Sequence, residues 1–305
     1  MSKISTRTAY GEALAAIGGD ERIIVLDADL QCCTRTEKFA ALYPERSRNV
    51  GIAEANMVGM AAGLAACGKI VFVNSFAMFT AGRAFEQIRN SLAYPHLNVK
   101  VIGTHAGVTV GKDGATHQCL EDIAAMRAIP GMMVLSPCDA NETRLVTKAI
   151  AEYDGPCFMR LGRLDVDECT NLIPEYHFKL GKAAKLASGS DVTIIATGLM
   201  VQEALKAREA LAAEGISAAI LDIHTIKPLD QEAVIAAARE TGCIVTAEEA
   251  NILGGLGFQR RGWARGRLRD LPCPRLPRRC ARLLRPQRRS RGSYGVLSHH
   301  RRRHS

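Results

Sequence analysis

Apolar runs too short to be helices alternate with amphipathic stretches long enough to be helices, with few breaks, from Thr6 to Glu249. The strand-like runs include Arg22–Asp27, Lys69–Val73, Val99–Gly103, Met132–Ser136 and Pro156–Leu161. Helical spacing covers Thr6–Ile17, Glu54–Cys67, Gly82–Ala93, Leu120–Arg127 and Ala140–Tyr153. A strand that is apolar at nearly every position is buried on both faces, the situation of a parallel sheet covered by helices on each side. The pattern therefore predicts an α/β fold.

The periodicity lapses between Leu164 and Ser190 and then resumes with strands at Asp191–Gly198, Ala218–Asp222 and Cys243–Glu249 and helices at Met200–Glu214 and Asp230–Thr241. A chain of 305 residues is long enough for two cores. Two parallel-sheet sandwich domains are expected, at 1–165 and 191–257, joined by a linker at 166–190.

At Phe258 the chemistry of the chain changes. Residues 258–305 contain 16 Arg, no Lys and a single acid, Asp270, whereas residues 1–257 hold 24 basic and 30 acidic side chains. The formal net charge of +9 describes neither part. A mildly acidic body argues against a general nucleic-acid binder. The tail admits two readings: a basic arm for anionic partners, or the product of a shifted reading frame. Basic arms mix Lys with Arg, while Arg alone is what GC-rich codons give out of frame. The second reading is taken, which leaves the second domain truncated and predicts a poorly ordered tail without active-site residues.

Met1-Ser-Lys-Ile-Ser-Thr-Arg7 leads into a helix with no apolar signal core, and no apolar run is long enough for a membrane span. A cytoplasmic protein with neither membrane nor nucleic acid as partner is expected. The ten Cys form no C-x-x-C. Cys67, Cys157 and Cys243 sit in contexts where buried free thiols are usual, so no metal site is expected in this chain.

Three segments carry residues suited to chemistry. Gly51-Ile-Ala-Glu54 opens a helix of small residues with an acid, which in isolation reads as a glutamate favoured by the helix dipole. Gly111-Lys-Asp113-Gly-Ala-Thr-His117-Gln118 is a Gly-rich loop presenting an acid and an imidazole, and alone could be a simple turn. Ser75-Phe76-Ala-Met-Phe79 places two aromatics at a strand end, a pattern found more often in cores than at cofactors.

Their order, together with Ser5-Thr-Arg7, Asp27-Ala-Asp29-Leu30, Arg83-Ala-Phe-Glu-Gln-Ile-Arg89, Gly103-Thr-His105-Ala-Gly107 and Leu161-Gly-Arg163, resembles transketolase. The resemblance covers residues 1–257 and concerns the C-terminal half of that enzyme. Residues 1–165 are similar to its pyrimidine-binding domain, and residues 191–257, ending Ala247-Glu-Glu-Ala-Asn-Ile-Leu-Gly-Gly-Leu-Gly257, to its C-terminal domain.

The resemblance implies thiamine diphosphate as cofactor. It assigns Glu54 to the pyrimidine N1′, Phe79 with Phe76 behind it to the pyrimidine face, and Asp29 to the cofactor's surroundings at a subunit contact. His117 is implied as a catalytic proton carrier, with His105 the other imidazole. His105 and Asp113 would bind the sugar, and Arg7 and Arg163 the substrate's phosphate. Departures are Cys33 where the family often has Ser, and Lys112 where it often has an acid. The family's Gly-Asp-Gly motif with a downstream Asn, which grips the diphosphate through Mg²⁺, has no counterpart in this sequence. The expectation is therefore the C-terminal subunit of a split transketolase, homodimeric within an α2β2 assembly. Its N-terminal partner would hold Mg²⁺, and the pair would pass a two-carbon ketol unit between sugar phosphates. Alternatives are the β subunit of a 2-oxoacid dehydrogenase decarboxylating component, a deoxyxylulose-phosphate synthase fragment, or an Arg-rich nucleic-acid-binding protein with an inactive enzyme-like domain.

Overall fold

A computed structural model describes residues 3–174, 176–258 and the pair 296–297. The readings made of the Arg-rich tail fall on residues that, but for Phe258 and that pair, lie outside the described ones. In chain order the strands are β1 (Ile4–Ser5), β2 (Ile23–Asp27), β3 (Ser47–Asn49), β4 (Ile70–Phe76), β5 (Val99–Thr104), β6 (Met133–Leu135) and β7 (Cys157–Arg160). They continue as β8 (Asp165–Val166), β9 (Ala184–Ala187), β10 (Val192–Ala196), β11 (Ala218–Asp222), β12 (Thr225–Lys227), β13 (Ile244–Glu248) and β14 (Val296–Leu297). The helices are α1 (Thr6–Ile17), α2 (Gln31–Thr34), α3 (Glu37–Leu42), α4 (Glu54–Ala66), α5 (Phe85–Gln87), α6 (Asp122–Ala128), α7 (Ala140–Glu152), α8 (Met200–Ala213) and α9 (Gln231–Thr241).

A seven-stranded sheet runs β12-β6-β7-β5-β4-β2-β3, parallel throughout except for β12 at its edge. A five-stranded sheet runs β14-β13-β10-β11-β9, with a parallel centre and antiparallel strands at both edges. Every residue of β4, β5, β10, β11 and β13 is buried, as strands covered on both faces require. β9 lies inside the stretch read as linker. Its Ala184 and Leu186 are buried and Lys185 is exposed, and this two-residue alternation is too short to stand out from the surrounding loop.

The two sheets are joined by more than a linker. After β11 the chain leaves the second sheet and adds β12 antiparallel to β6 of the first. Lys227 Nζ then donates to the carbonyls of Arg127 and Ile129. One core cluster accordingly contains Leu26, Val73 and Val101 together with Leu221, Val234 and Ile244. Arg160 on β7 strengthens the junction, donating through Nε to Asp122 Oδ2 at 2.8 Å and through Nη2 to the Glu249 carbonyl at 2.7 Å.

The Gly82–Ala93 helix of the sequence reading is instead a pair of wide π-helical turns, Met78–Arg83 and Ile88–Ala93, flanking the short α5. Such turns take one residue more than α-helical ones and recur at functional sites. Cys157 and Cys243 are buried as expected, whereas Cys67 is exposed just beyond the end of α4. Among the described residues no helix is long and apolar enough to cross a membrane.

Candidate active site

Because β2, β3, β4, β5 and β7 are parallel, their C-terminal ends share one edge of the sheet. Open α/β sheets bind ligands at that edge. Asp29, Glu54, Phe79, His105 and Arg163 all follow the ends of these strands.

Glu54 is the first residue of α4 and is 1% exposed. Its carboxylate accepts from Arg83 Nη1 at 3.1 and 2.9 Å, and Ser75 Oγ lies 3.4 Å from Oε1. The Arg83 guanidinium also lies over the Phe79 ring, 4.6 Å from its centroid. The helix N-terminus favours the negative charge, as does the arginine.

Phe76 at the end of β4 and Phe79 in the first π turn are stacked, with ring centroids 5.8 Å apart. His105 lies 3.9 Å from Phe76, and His117 meets Phe79 edge-on at 5.3 Å. The two aromatics and two imidazoles singled out from the sequence thus form one cluster. His117 Nδ1 is 2.9 Å from Thr116 Oγ1.

His105 is held in the left-handed region, φ 57°, which is uncommon for a residue with a side chain. Its Nδ1 contacts Thr104 Oγ1 at 3.0 Å and its Nε2 lies 3.5 Å from Arg7 Nη1. Burial, followed by the charges of Arg7, Arg163, His117 and Arg35, pulls its pKa down to about 3. A neutral imidazole suits hydrogen bonding to a sugar hydroxyl better than carrying a proton near neutrality.

That shift has a consequence for stability. An unfolded histidine titrates near 6.5, so between pH 6.5 and 3 the unfolded chain binds the extra proton and stability falls as pH falls. Wild type is expected to lose up to about 1.4 kcal/mol per pH unit in that window from this residue. His105→Gln should flatten the slope of urea-measured stability between pH 6 and 4.5; identical slopes would mean that His105 protonates freely in the fold.

Arg163 packs over Gly111, where a methyl group would lie 2.5 Å from Arg163 Nη1. Its Nε faces Asp113 Oδ2 at 3.7 Å. Arg7, in the first turn of α1, donates through Nη1 to the Cys33 carbonyl at 2.8 Å. Asp29 stands apart from the ring cluster. It is exposed and accepts from Asn49 Nδ2 at 2.9 Å, beside the loop that leads to Glu54.

Two contributors had no role in the sequence reading. Arg83 was visible only as part of a motif, because its approach to Glu54 depends on the π turn. Glu249, in the second half of the chain, accepts from the amides of Val108 and Thr109, both at 2.9 Å. A methyl at Gly107, φ 83°, would sit 2.3 Å from its carboxyl carbon. Glu249 therefore braces the loop that runs on to Asp113 and His117.

The sequence pattern of the transketolase pyrimidine-binding domain matches residues 2–168, and that of the transketolase C-terminal domain matches residues 181–259. The chain belongs to the transketolase family. A protein of Methanocaldococcus jannaschii with the provisional name transketolase C-terminal section is 52% identical over 252 residues, covering 82% of this chain and 79% of its own length. The 6-deoxy-6-sulfo-D-fructose transketolase subunit of a Clostridium species is 48% identical over 238 residues, 78% of this chain and 73% of that one. A solved structure described as a split-gene transketolase, an inactive β4 tetramer, matches with a TM-score of 0.79 at 48% identity and covers 86% of each chain. Transketolase-family domains imply dependence on thiamine diphosphate.

Proposed function

We propose that this transketolase-family chain is the C-terminal subunit of a two-chain transketolase, transferring a two-carbon ketol unit from a ketose phosphate to an aldose phosphate. The observation that carries the reading is the convergence, at one sheet edge, of a buried carboxylate, a stacked aromatic pair and two imidazoles, with arginines beside them. In this reading residues 1–165 are the pyrimidine-binding domain and residues 191–257 the C-terminal domain. Relatives of matching length that bear subunit or section names support the separate N-terminal partner.

The residues present fit an aminopyrimidine ring. Glu54 offers a carboxylate in a dry setting, where a proton can be shared with a ring nitrogen, and Phe79 and Phe76 offer flat apolar faces. Thiamine diphosphate, when bound, supplies the carbanion chemistry that breaks and makes the ketose carbon–carbon bond. Glu54 would hold the proton at the pyrimidine N1′. To do so, its carboxylate would give up part of its contact with Arg83, whose side chain is half exposed. His117 would move hydroxyl protons of the sugar, while neutral His105 and Asp113 hydrogen-bond its hydroxyls. Arg7 and Arg163 would hold the phosphate through their planar donor forks. Asp29 would flank the cofactor where the subunits meet. Mg²⁺ falls to the partner in this reading. Among the described residues, neither place where three potential metal ligands converge, Cys138–Asp139–Cys169 or Cys138–Glu142–Asp222, includes a residue of the cluster.

The test is carbon tracing in the reconstituted complex with thiamine diphosphate and Mg²⁺. A ketose phosphate labelled at C1 and C2 is expected to pass both labels together to an aldose phosphate acceptor. Decarboxylation of a 2-oxo acid without ketol transfer would overturn the reading in favour of the dehydrogenase-type alternative.

A further inference from the structure

Arg35 was not among the residues the sequence pointed to. Three features of its setting mark it out. The first is where its backbone lies. Arg7 and Gly11 are one turn apart on the same face of α1. A methyl group at Gly11 would lie 2.4 Å from the Arg35 carbonyl oxygen and 2.6 Å from its Cβ. Arg35 is therefore pressed against α1 at the turn next to Arg7, a contact that only glycine at position 11 allows.

The second feature is its conformation. Arg35 caps α2 with φ 68°, a left-handed geometry that is strained for a residue with a Cβ. It is fixed from both sides by one buried carboxylate. Asp27 Oδ2 accepts from Thr34 Oγ1 at 2.6 Å and from Thr36 Oγ1 at 3.0 Å, while Oδ1 accepts from the Leu30 amide at 2.6 Å. The residues before and after Arg35 are thus tied to the same group, and strain maintained in this way is typical of functional positions.

The third feature is unsatisfied charge. Arg7 Nε and Arg35 Nε are both buried with no acceptor among the described residues. What acids there are lie at the rim. Arg35 Nη1 reaches Glu37 Oε1 only at 3.5 Å, Arg163 reaches Asp113 at 3.7 Å, and exposed Asp165 adds a favourable field at Arg7. Burial first, then the charges of Arg35 and Arg163, holds the Arg7 guanidinium below its ordinary pKa. Three guanidiniums therefore share one neighbourhood, with buried donors that have nothing to donate to, and a compact group of anionic oxygens satisfies that arrangement.

We propose that Arg35 is a third guanidinium of the substrate's anion site, and that with Arg7 and Arg163 it selects sugars bearing a terminal phosphomonoester dianion over uncharged sugars. The proposal rests on the ketol-transfer reading above for the identity of the sugar, but the anion site can be probed without it.

Arg35→Gly is the informative variant, because glycine adopts φ 68° without strain and so removes the side chain while keeping the turn. In the complex, KM for a ketose phosphate is expected to rise about 10–100-fold, the scale of one charge-assisted hydrogen bond, with kcat within about 3-fold of wild type. The preference for ketose phosphate over the same ketose without phosphate should fall by the same factor, and Arg35→Lys should recover part of it. An unchanged preference, or equal losses on both sugars, would overturn the proposal. A second arm uses inorganic phosphate and no partner. Phosphate should raise the thermal midpoint of the wild-type chain more than that of Arg35→Gly at matched ionic strength; equal shifts count against Arg35 even if the complex proves to catalyse a different reaction.

Discussion

Glu54→Gln in the assembled complex is expected to lower turnover by about two to four orders of magnitude, the scale of a lost acid–base group, with the fold intact. Glutamine keeps the volume of the buried side chain at the start of α4. Its amide oxygen still accepts from Arg83, and the Ser75 hydroxyl is placed to accept from its amide nitrogen. What it cannot do is share a proton with the pyrimidine N1′. Exchange of the cofactor's C2 proton reads the defect directly, and circular dichroism with urea unfolding reads the fold. A variant that exchanges this proton as fast as wild type would show that Glu54 is a structural ion-pair partner of Arg83 and nothing more.

Much of the fold is legible in the sequence because buried parallel strands have no polar face to obscure them. The run Ala218–Asp222 was predicted residue for residue, and helix Thr6–Ile17 likewise. What was missed shares a physical cause. α2, α3 and β3 are a few residues each, too short to show a period, and are held by tertiary contacts such as Thr34 of α2 donating to Asp27 Oδ2 at 2.6 Å. β12 reads as part of the second domain because sequence order cannot show that three residues cross over to pair with β6. The π turn at Ile88–Ala93 looks like ordinary helix in composition, and the one at Met78–Arg83 spans the boundary between the strand end at Phe79 and the helix read from Gly82.

The site divides in the same way. The residues of the ring cluster were picked out through the resemblance to transketolase, since each motif alone reads as core or turn; the structure brings their rings together. Arg83 and Arg35 were not, since a lone arginine usually reads as a solvated surface charge. Only the Glu54 contact in one case, and the Gly11 and Asp27 contacts in the other, show that these are placed.

Dependence on a second chain is the other large effect expected. In the proposed reading the groups gathered here would address a pyrimidine face, a ring nitrogen and a sugar phosphate, and the partner chain would hold the diphosphate with its divalent cation. Exposed residues also lie around α4, whose first residue is the buried Glu54. Ile52, two residues before it, is 76% exposed, and Met60 on α4 is 40% exposed. Among the described residues, nothing beyond the helix's own backbone and chain neighbours lies within 4 Å of where a side chain would begin at Gly59 or Gly63. An exposed apolar surface of this sort is the kind of face that a partner covers.

The direct measurement is a titration. The purified N-terminal subunit is added to a fixed amount of this chain with saturating thiamine diphosphate and Mg²⁺, and the rate of two-carbon transfer is followed. Negligible transfer by either chain alone, rising to a plateau at equal stoichiometry, is the predicted result. Transfer by this chain alone at the plateau rate, or none at any ratio with both chains folded, would contradict the account.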